Sequence, residues 1–137
     1  MKKLSGLIIA VLALSWTMGV FAQEVVVAEP GQEVDMVLMP KFLGILVFDQ
    51  AHDGAVEAHE ELGNTGELIF NAPTPENAIP GQIEIIESSI TQGVDAIMIS
   101  ANDYEQLLPS TTSAIDEGIT IVTWDSPVDP SGEALFI

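Results

Sequence analysis

The sequence predicts an open α/β fold, a parallel sheet with helices on both faces, and three observations predict it. Apolar runs of strand length recur along the chain from residue 36 onward. Segments with helical spacing separate them, and the connections are short. Each apolar run is near-continuous, as suits a strand covered on both faces, whereas a strand with one wet face would alternate. Strand and helix in strict alternation require right-handed crossovers, and hence a mostly parallel sheet.

Taken in order, the first strand is read at Met36 to Met39. After it Phe48, Ala51, Ala55, Ala58 and Leu62 recur at steps of three and four, a first helix that ends at Gly63 as its cap. Leu68 to Phe70 gives the second strand. Ile79, Ile83, Ile86 and Ile90 form the stripe of a second helix closing before Gly93. Its start has two readings: from a Thr74 cap, Pro80 would lie deep enough to kink the helix, whereas a start near Ile79 leaves it harmless. Ala96 to Ile99 is the third strand. Tyr104, Leu107, Leu108 and Ile115 carry a third helix before Gly118. Ile119 to Trp124 and Ala134 to Ile137 supply the last two strands. The expected order of units is βαβαβαββ.

At 137 residues, nearly half of them apolar, the chain suits one domain with a real core. Lys2 and Lys3 open it, an apolar stretch runs from Leu4, and Val20-Phe21-Ala22 ends in small residues at the positions that matter for cleavage. Residues 1–22 therefore read as a secretory signal peptide cut after Ala22. The competing reading is a retained membrane anchor, but Ser5, Gly6, Ser15, Thr17 and Gly19 dilute the stretch. Residues 23–34 hold a proline and a glycine and read as a lead-in, with the lobe proper at 35–137. The chain ends at Ala134-Leu135-Phe136-Ile137, inside a strand, and this suggests the N-terminal part of a larger two-lobed protein whose second lobe is absent.

Cysteine is absent, so neither a disulfide framework nor a lipid-modified N-terminal cysteine is available. There is no arginine, and Lys41 is the only lysine outside the first three residues. Loss of residues 1–22 leaves one cation against 21 carboxylates, a net charge of −20. Such a field repels nucleic acid, anionic lipid and free anionic ligands. A neutral, polyhydroxylated ligand fits it better. Most of the carboxylates read as a solvated coat, of the kind suited to a salty medium.

In sheets of this class the ligand crevice lies beyond the carboxyl ends of the strands, where strand order reverses. Met39-Pro40-Lys41-Phe42-Leu43-Gly44 follows the first strand and Trp124-Asp125-Ser126 the fourth, so both fall on that side. With the expected order 2-1-3-4-5, those two strand ends lie about 10 Å apart, neighbours being ~4.8 Å apart, and a monosaccharide spans such a gap. An ammonium from one side and a carboxylate from the other can donate to and accept from one polyol.

Pro40-Lys41-Phe42-Leu43-Gly44 followed by Phe48-Asp49, the segment from Gly66 to Pro109 with its Gly-Gln-Ile-Glu-Ile-Ile and Asp-Ala-Ile-Met-Ile-Ser-Ala, and Asp116 to Ser126 with its Trp-Asp-Ser together carry a resemblance. Over about residues 35 to 137 they resemble the N-terminal lobe of a periplasmic sugar-binding protein of the ribose/galactose superfamily. The rhamnose-binding and autoinducer-2-binding subgroup is the nearest in pattern. The resemblance implies a periplasmic-binding-protein type I lobe, Rossmann-like, from an exported receptor that closes on a small polar ligand and presents it to an ABC importer. It also implies that Lys41 and Asp125 bond ligand hydroxyls and that Phe48 packs against the ligand. Many relatives carry Asn-Pro and two aromatics after the glycine; here Gly44-Ile45-Leu46-Val47-Phe48 reduces that clamp to one ring.

Each candidate has a plainer reading. Lys41 could be a loop lysine left by acidic drift, and Asp125 a carboxylate capping a turn before Pro127. Phe48 heads the apolar stripe of its helix and could be core. Trp124 ends an apolar strand, which favours packing over stacking on a sugar. Asn102 points to the crevice as a weak contact, while Asp103 reads as the cap of the third helix. His52 and His59 are seven apart, ~10.5 Å along a helix, too far for one metal. No nucleophile elbow, phosphate loop or dinucleotide fingerprint occurs, so no catalytic residue, metal or cofactor is expected. The expected function is the substrate-binding component of an ABC importer for a sugar or sugar-like signal, with a permease as membrane partner. A module feeding a membrane sensor is the alternative, and an exported α/β enzyme a more distant one.

Overall fold

The computed structural model describes residues 29–137, so the expected signal peptide lies outside the described residues. Five strands form one parallel sheet: β1 (Met36–Met39), β2 (Leu68–Phe70), β3 (Ala96–Ile99), β4 (Thr120–Thr123) and β5 (Leu135–Phe136), in the order β2-β1-β3-β4-β5. Helices α1 (Leu46–Leu62), α2 (Ala78–Gln92) and α3 (Leu108–Asp116) make the crossovers. The first three strands fall where the apolar runs put them, and the last two are shorter than expected. Ile119 and Trp124 flank β4, their backbone N–H groups bonding Ala114 and Ile99 carbonyls.

The register is flush. Val37 stands beside Ile69 and Ile97, and Ile97 beside Ile121; Met39 stands beside Ile99, and Ile99 beside Thr123. These rows face α2 and α3 and pack with Ile86, Leu107 and Ala114 into a core from which water is excluded. The alternate rows, with Met36, Leu68 and Met98, face α1, against Ala55, Ala58 and Leu62. That second face is thinly covered: of α1 only Phe48 is buried. Helices thus cover both faces, but unequally.

Helix boundaries follow local chemistry. Both α1 and α2 end on a left-handed glycine, Gly63 at φ 65° and Gly93 at φ 72°, a conformation that glycine reaches without a Cβ penalty. The two readings of Pro80 resolve between themselves: a 3-10 turn at Pro75–Asn77 precedes α2, with Thr74 before it accepting Asn77 N–H on its carbonyl and making no side-chain cap, and Pro80 falls in the first turn of α2. There its missing N–H has no intrahelical partner to lose. The third helix is shorter than its periodicity implied. Tyr104 to Leu107 form turns, and α3 begins at Leu108 with Pro109 in its first turn. Leu107 is fully buried, so apolarity there reflects packing of a turn rather than helical phase.

Lead-in residues within the described range are tied down. Gly31 N–H bonds the Leu62 carbonyl, Gln32 pairs with Asn64 and Thr65, and Asp35 bonds the backbone of Glu67. Gly66 sits so close to this segment that a Cβ would lie 2.0 Å from the Val34 carbonyl oxygen. No helix among the described residues is long and apolar enough to cross a membrane.

Candidate ligand-binding site

Because β1, β3 and β4 end level, the chain leaving each strand meets the other two above the sheet. Backbone bonds lock the exits together: Ser100 N–H to the Met39 carbonyl, Trp124 N–H to Ile99, and Ala101 N–H to Ser126 at 3.0 Å. Lys41, Asn102 and Asp125 stand on these exits, and Phe48 opens the helix that follows the first of them.

Lys41 Nζ donates to Ser126 Oγ at 2.6 Å and lies 3.3 Å from Asp125 Oδ2. The two charges thus meet directly, although two strand spacings separate their backbones, since a four-carbon lysine stem covers that distance. Asp125 Oδ2 also accepts from Ser100 Oγ at 2.7 Å and from Ser126 Oγ at 3.3 Å. All three partners use one oxygen; among the described residues Oδ1 takes no hydrogen bond. The carboxylate bonds side chains and no backbone N–H, so it is not acting as a turn cap.

The Ser100 hydroxyl is the first cause holding the Asp125 carboxyl below its ordinary 3.8; burial opposes it, and the Lys41 ammonium and Ser126 hydroxyl add to the lowering. The side chains are 30% and 46% exposed, so the ion pair stabilises the fold by only about 0.2–1 kcal/mol. Asp125 also carries the only positive φ of a non-glycine residue in the described chain, 61°. Ser126 N–H reaches back to the Trp124 carbonyl at 2.6 Å across it, the bond of a three-residue turn of the strained hand. A positive φ costs roughly 1–3 kcal/mol, least for Asp, Asn and Gly, and here it sits at the carboxylate of the cluster.

Asn102 Nδ2 donates to the Lys41 carbonyl at 3.2 Å, and its backbone N–H donates to Gln82 Oε1 at 2.9 Å. Phe48 is only 8% exposed and stands edge-on to Trp124, ring centroids 5.8 Å apart at 89°. In this pair Phe48 has little free surface and Trp124 more; among the described residues the buried Trp124 Nε1 has no hydrogen-bond partner. Around the mouth Leu43, Ile45, Leu46 and Val47 are exposed.

Asp103 does not cap α3. Its Oδ1 accepts from the N–H groups of Glu105 and Gln106, closing the turn that precedes the helix, and the Gln106 backbone bond keeps its carboxyl below the usual range. The two histidines have separate occupations: His52 stacks on Phe70 at 4.2 Å, and His59 Nε2 donates to the Gly66 carbonyl at 3.0 Å. Sequence reasoning singled out Lys41, Asp125, Phe48 and Asn102 but missed Ser100, Ser126 and Gln82. Ser100 could have been found by the strand-end rule that found Asn102. Gln82 announces itself as a polar residue on the stripe of Ile79, Ile83 and Ile86.

A flush parallel sheet in the order β2-β1-β3-β4-β5, with polar groups gathered over its carboxyl edge, is the architecture of a type I periplasmic binding protein. The family profile described as periplasmic binding protein domain matches residues 36–137, and the chain belongs to that family. It is 34% identical over 103 residues to the D-ribose/D-allose-binding protein of Pseudomonas aeruginosa, covering 75% of this chain and 32% of the relative. Among solved structures it is similar to LsrB from Clostridium saccharobutylicum in complex with AI-2, at 31% identity and TM-score 0.69 over 75% of this chain and 31% of that one. A solute-binding protein of an ABC transporter from Clostridium phytofermentans with bound L-rhamnose gives 28% identity and TM-score 0.71 over 78% and 32%. The chain thus spans about a third of the length of the relatives it matches. These relatives are binding proteins and not enzymes.

Proposed function

We propose that residues 35–137 are the N-terminal lobe of a two-lobed periplasmic receptor that binds a small neutral sugar or sugar-like signal and delivers it to an ABC permease. The observation that carries the reading is the convergence of Lys41, Asp125, Ser100 and Ser126 on one oxygen at the carboxyl ends of the strands. Such a cluster offers a polyol both donors and acceptors: the ammonium and hydroxyls on one side, the unengaged Asp125 Oδ1 on the other. Asn102 adds its side-chain carbonyl, and half-buried Trp124, backed edge-on by Phe48, is the ring with surface left for a sugar. Rhamnose-type and autoinducer-2-type ligands are the finer reading. They are supported by the Pro-Lys-x-x-Gly and Trp-Asp-Ser pattern and by the AI-2 and L-rhamnose held by two similar proteins. Export with cleavage after Ala22 accords with the family.

The charge balance points the same way. With one cation against 21 carboxylates after residue 22, an anionic ligand approaches against the field of the whole molecule, whereas a neutral one does not. Titration of D-ribose, L-rhamnose and autoinducer-2, followed by NMR at the Lys41, Ser100, Asn102 and Asp125 signals, tests the reading. Saturable shifts centred on those four residues are expected. Dissociation constants weaker than roughly 10 mM for all three ligands in the two-lobed protein, under about 3 kcal/mol, would overturn it.

A further inference from the structure

We propose that Gln82, on α2 and outside the ligand cluster, is the positioning residue of the site: its carboxamide ties the exit of β1 to the exit of β3, and through them aligns Lys41 with Asp125. The inference rests on the proposed sugar site and adds the residue that sets its geometry.

Gln82 is fully buried on the face of α2 that also carries Ile79, Ile83, Ile86 and Ser89, where an aliphatic side chain would pack without needing partners. Nothing in its own helix uses the carboxamide. Nε2 donates to the Ser100 carbonyl at 2.9 Å and, more loosely, to the Pro40 carbonyl at 3.4 Å, while Oε1 accepts from Asn102 N–H at 2.9 Å. One planar group therefore satisfies backbone atoms on two strand exits, an arrangement that fixes their separation and mutual rotation.

Two arms run from this hub to the charges. On one, the Ser100 carbonyl is held while its hydroxyl donates to Asp125 Oδ2. On the other, Asn102 is held by its N–H while its side-chain amide donates to the carbonyl of Lys41. Pro40, which Gln82 also touches, is the residue before Lys41. Without the carboxamide, the Ser100 and Asn102 backbone groups must find water in a buried place or shift toward it. Either response moves the serine hydroxyl off Asp125.

The test compares Gln82→Met, close in shape but without hydrogen bonds, with Ser89→Ala, two turns further along α2. Ser89 is equally buried but bonds only the Ile85 carbonyl of its own helix. The Asp125 carboxyl titration by NMR needs no ligand, and sugar affinity is measured beside it. Gln82→Met should return the Asp125 midpoint toward 3.8 and weaken sugar binding about tenfold, the loss expected from one unsatisfied buried bond. Ser89→Ala should lower stability while leaving midpoint and affinity as they are. An unchanged midpoint and affinity in Gln82→Met overturns the positioning role, as does an equal effect of Ser89→Ala. If no variant binds a sugar, the wild type included, while the midpoint still moves in Gln82→Met alone, the positioning role stands and the sugar reading falls. The wild-type protein gives a check without any variant: the Gln82 side-chain N–H protons should exchange with solvent far more slowly than those of exposed Gln92. Equal exchange rates overturn the proposal.

Discussion

Replacing Lys41 by methionine separates the two things this residue could do. The methionine keeps most of the stem and removes the ammonium, so the Ser126 and Asp125 contacts are lost while packing is largely retained. Since the ion pair is 30% and 46% exposed, its loss should destabilise the fold by only about 0.2–1 kcal/mol, a shift of a few degrees at most in a domain of this size. Binding should suffer more. A charge-assisted bond to a ligand hydroxyl, closed off from water, contributes about 1.5–3 kcal/mol, so the dissociation constant should rise roughly 10- to 150-fold. Thermal melts read the first quantity, and NMR or calorimetric titration with the best of the three ligands reads the second. Affinity changed by less than about twofold would remove Lys41 from the site, since a single tenfold step is already ~1.4 kcal/mol. Loss of stability without loss of affinity would make it a structural lysine.

Other outcomes follow from the same structure. Asp125 has a folded-state pKa below its unfolded value near 3.8, so its contribution is fully present above about pH 4 and is lost as pH falls through the lower, folded value. Acid melts of Ser100→Ala should show that loss shrinking, because the first cause of the depression has been removed; an unaltered acid limb would contradict the assignment. Gly66→Ala should cost about 1–3 kcal/mol or more, read as a lower denaturant midpoint, because the added methyl carbon collides with the Val34 backbone and not with a side chain that can turn away. Residues 23–137, at net −20, should melt at a higher temperature as sodium chloride goes from about 0.01 to 1 M and the screening length falls from about 30 to 3 Å. A flat or falling melting temperature would mean that self-repulsion is not a significant cost.

Much of the fold was legible because a doubly covered parallel strand leaves a plain trace. Met36 to Met39, Leu68 to Phe70 and Ala96 to Ile99 are apolar throughout and bounded by polar residues or, after Met39, by Pro40, and the strands have those limits. The third helix was misread at its start because buried Leu107 belongs to a turn whose apolar character continues the phase of α3. The strand-end rule found Lys41 and Asp125 because it needs only the order of the sheet. It could not show that the two side chains touch, which depends on the reach of a lysine rotamer. Nor could periodicity separate a ring facing a ligand from one facing the core. Phe48 lies on the helical stripe and at the crevice at once, and the edge-on contact with Trp124 shows how fully the core occupies it.

The strand exits give the proposed site a buried base and an exposed top. Gln82, Ser100 and Pro40 belong to the fully buried half with Ile86, Ile97 and Ile99, where opening requires breaking packed core. Lys41 and Asp125 are partly exposed and Leu43, Ile45, Leu46 and Val47 are exposed, held by contacts that water already shares. In the proposed site a ligand hydroxyl would replace the Lys41 to Asp125 contact at a cost of about 1 kcal/mol or less, above backbone groups that Gln82 already bonds. On that proposal binding energy would go into the new bonds and not into ordering the loops, which is the advantage of a preorganised site. The strained φ of Asp125 fits this division: the flush exits of β3 and β4 hold its backbone from below, and its second oxygen remains available above.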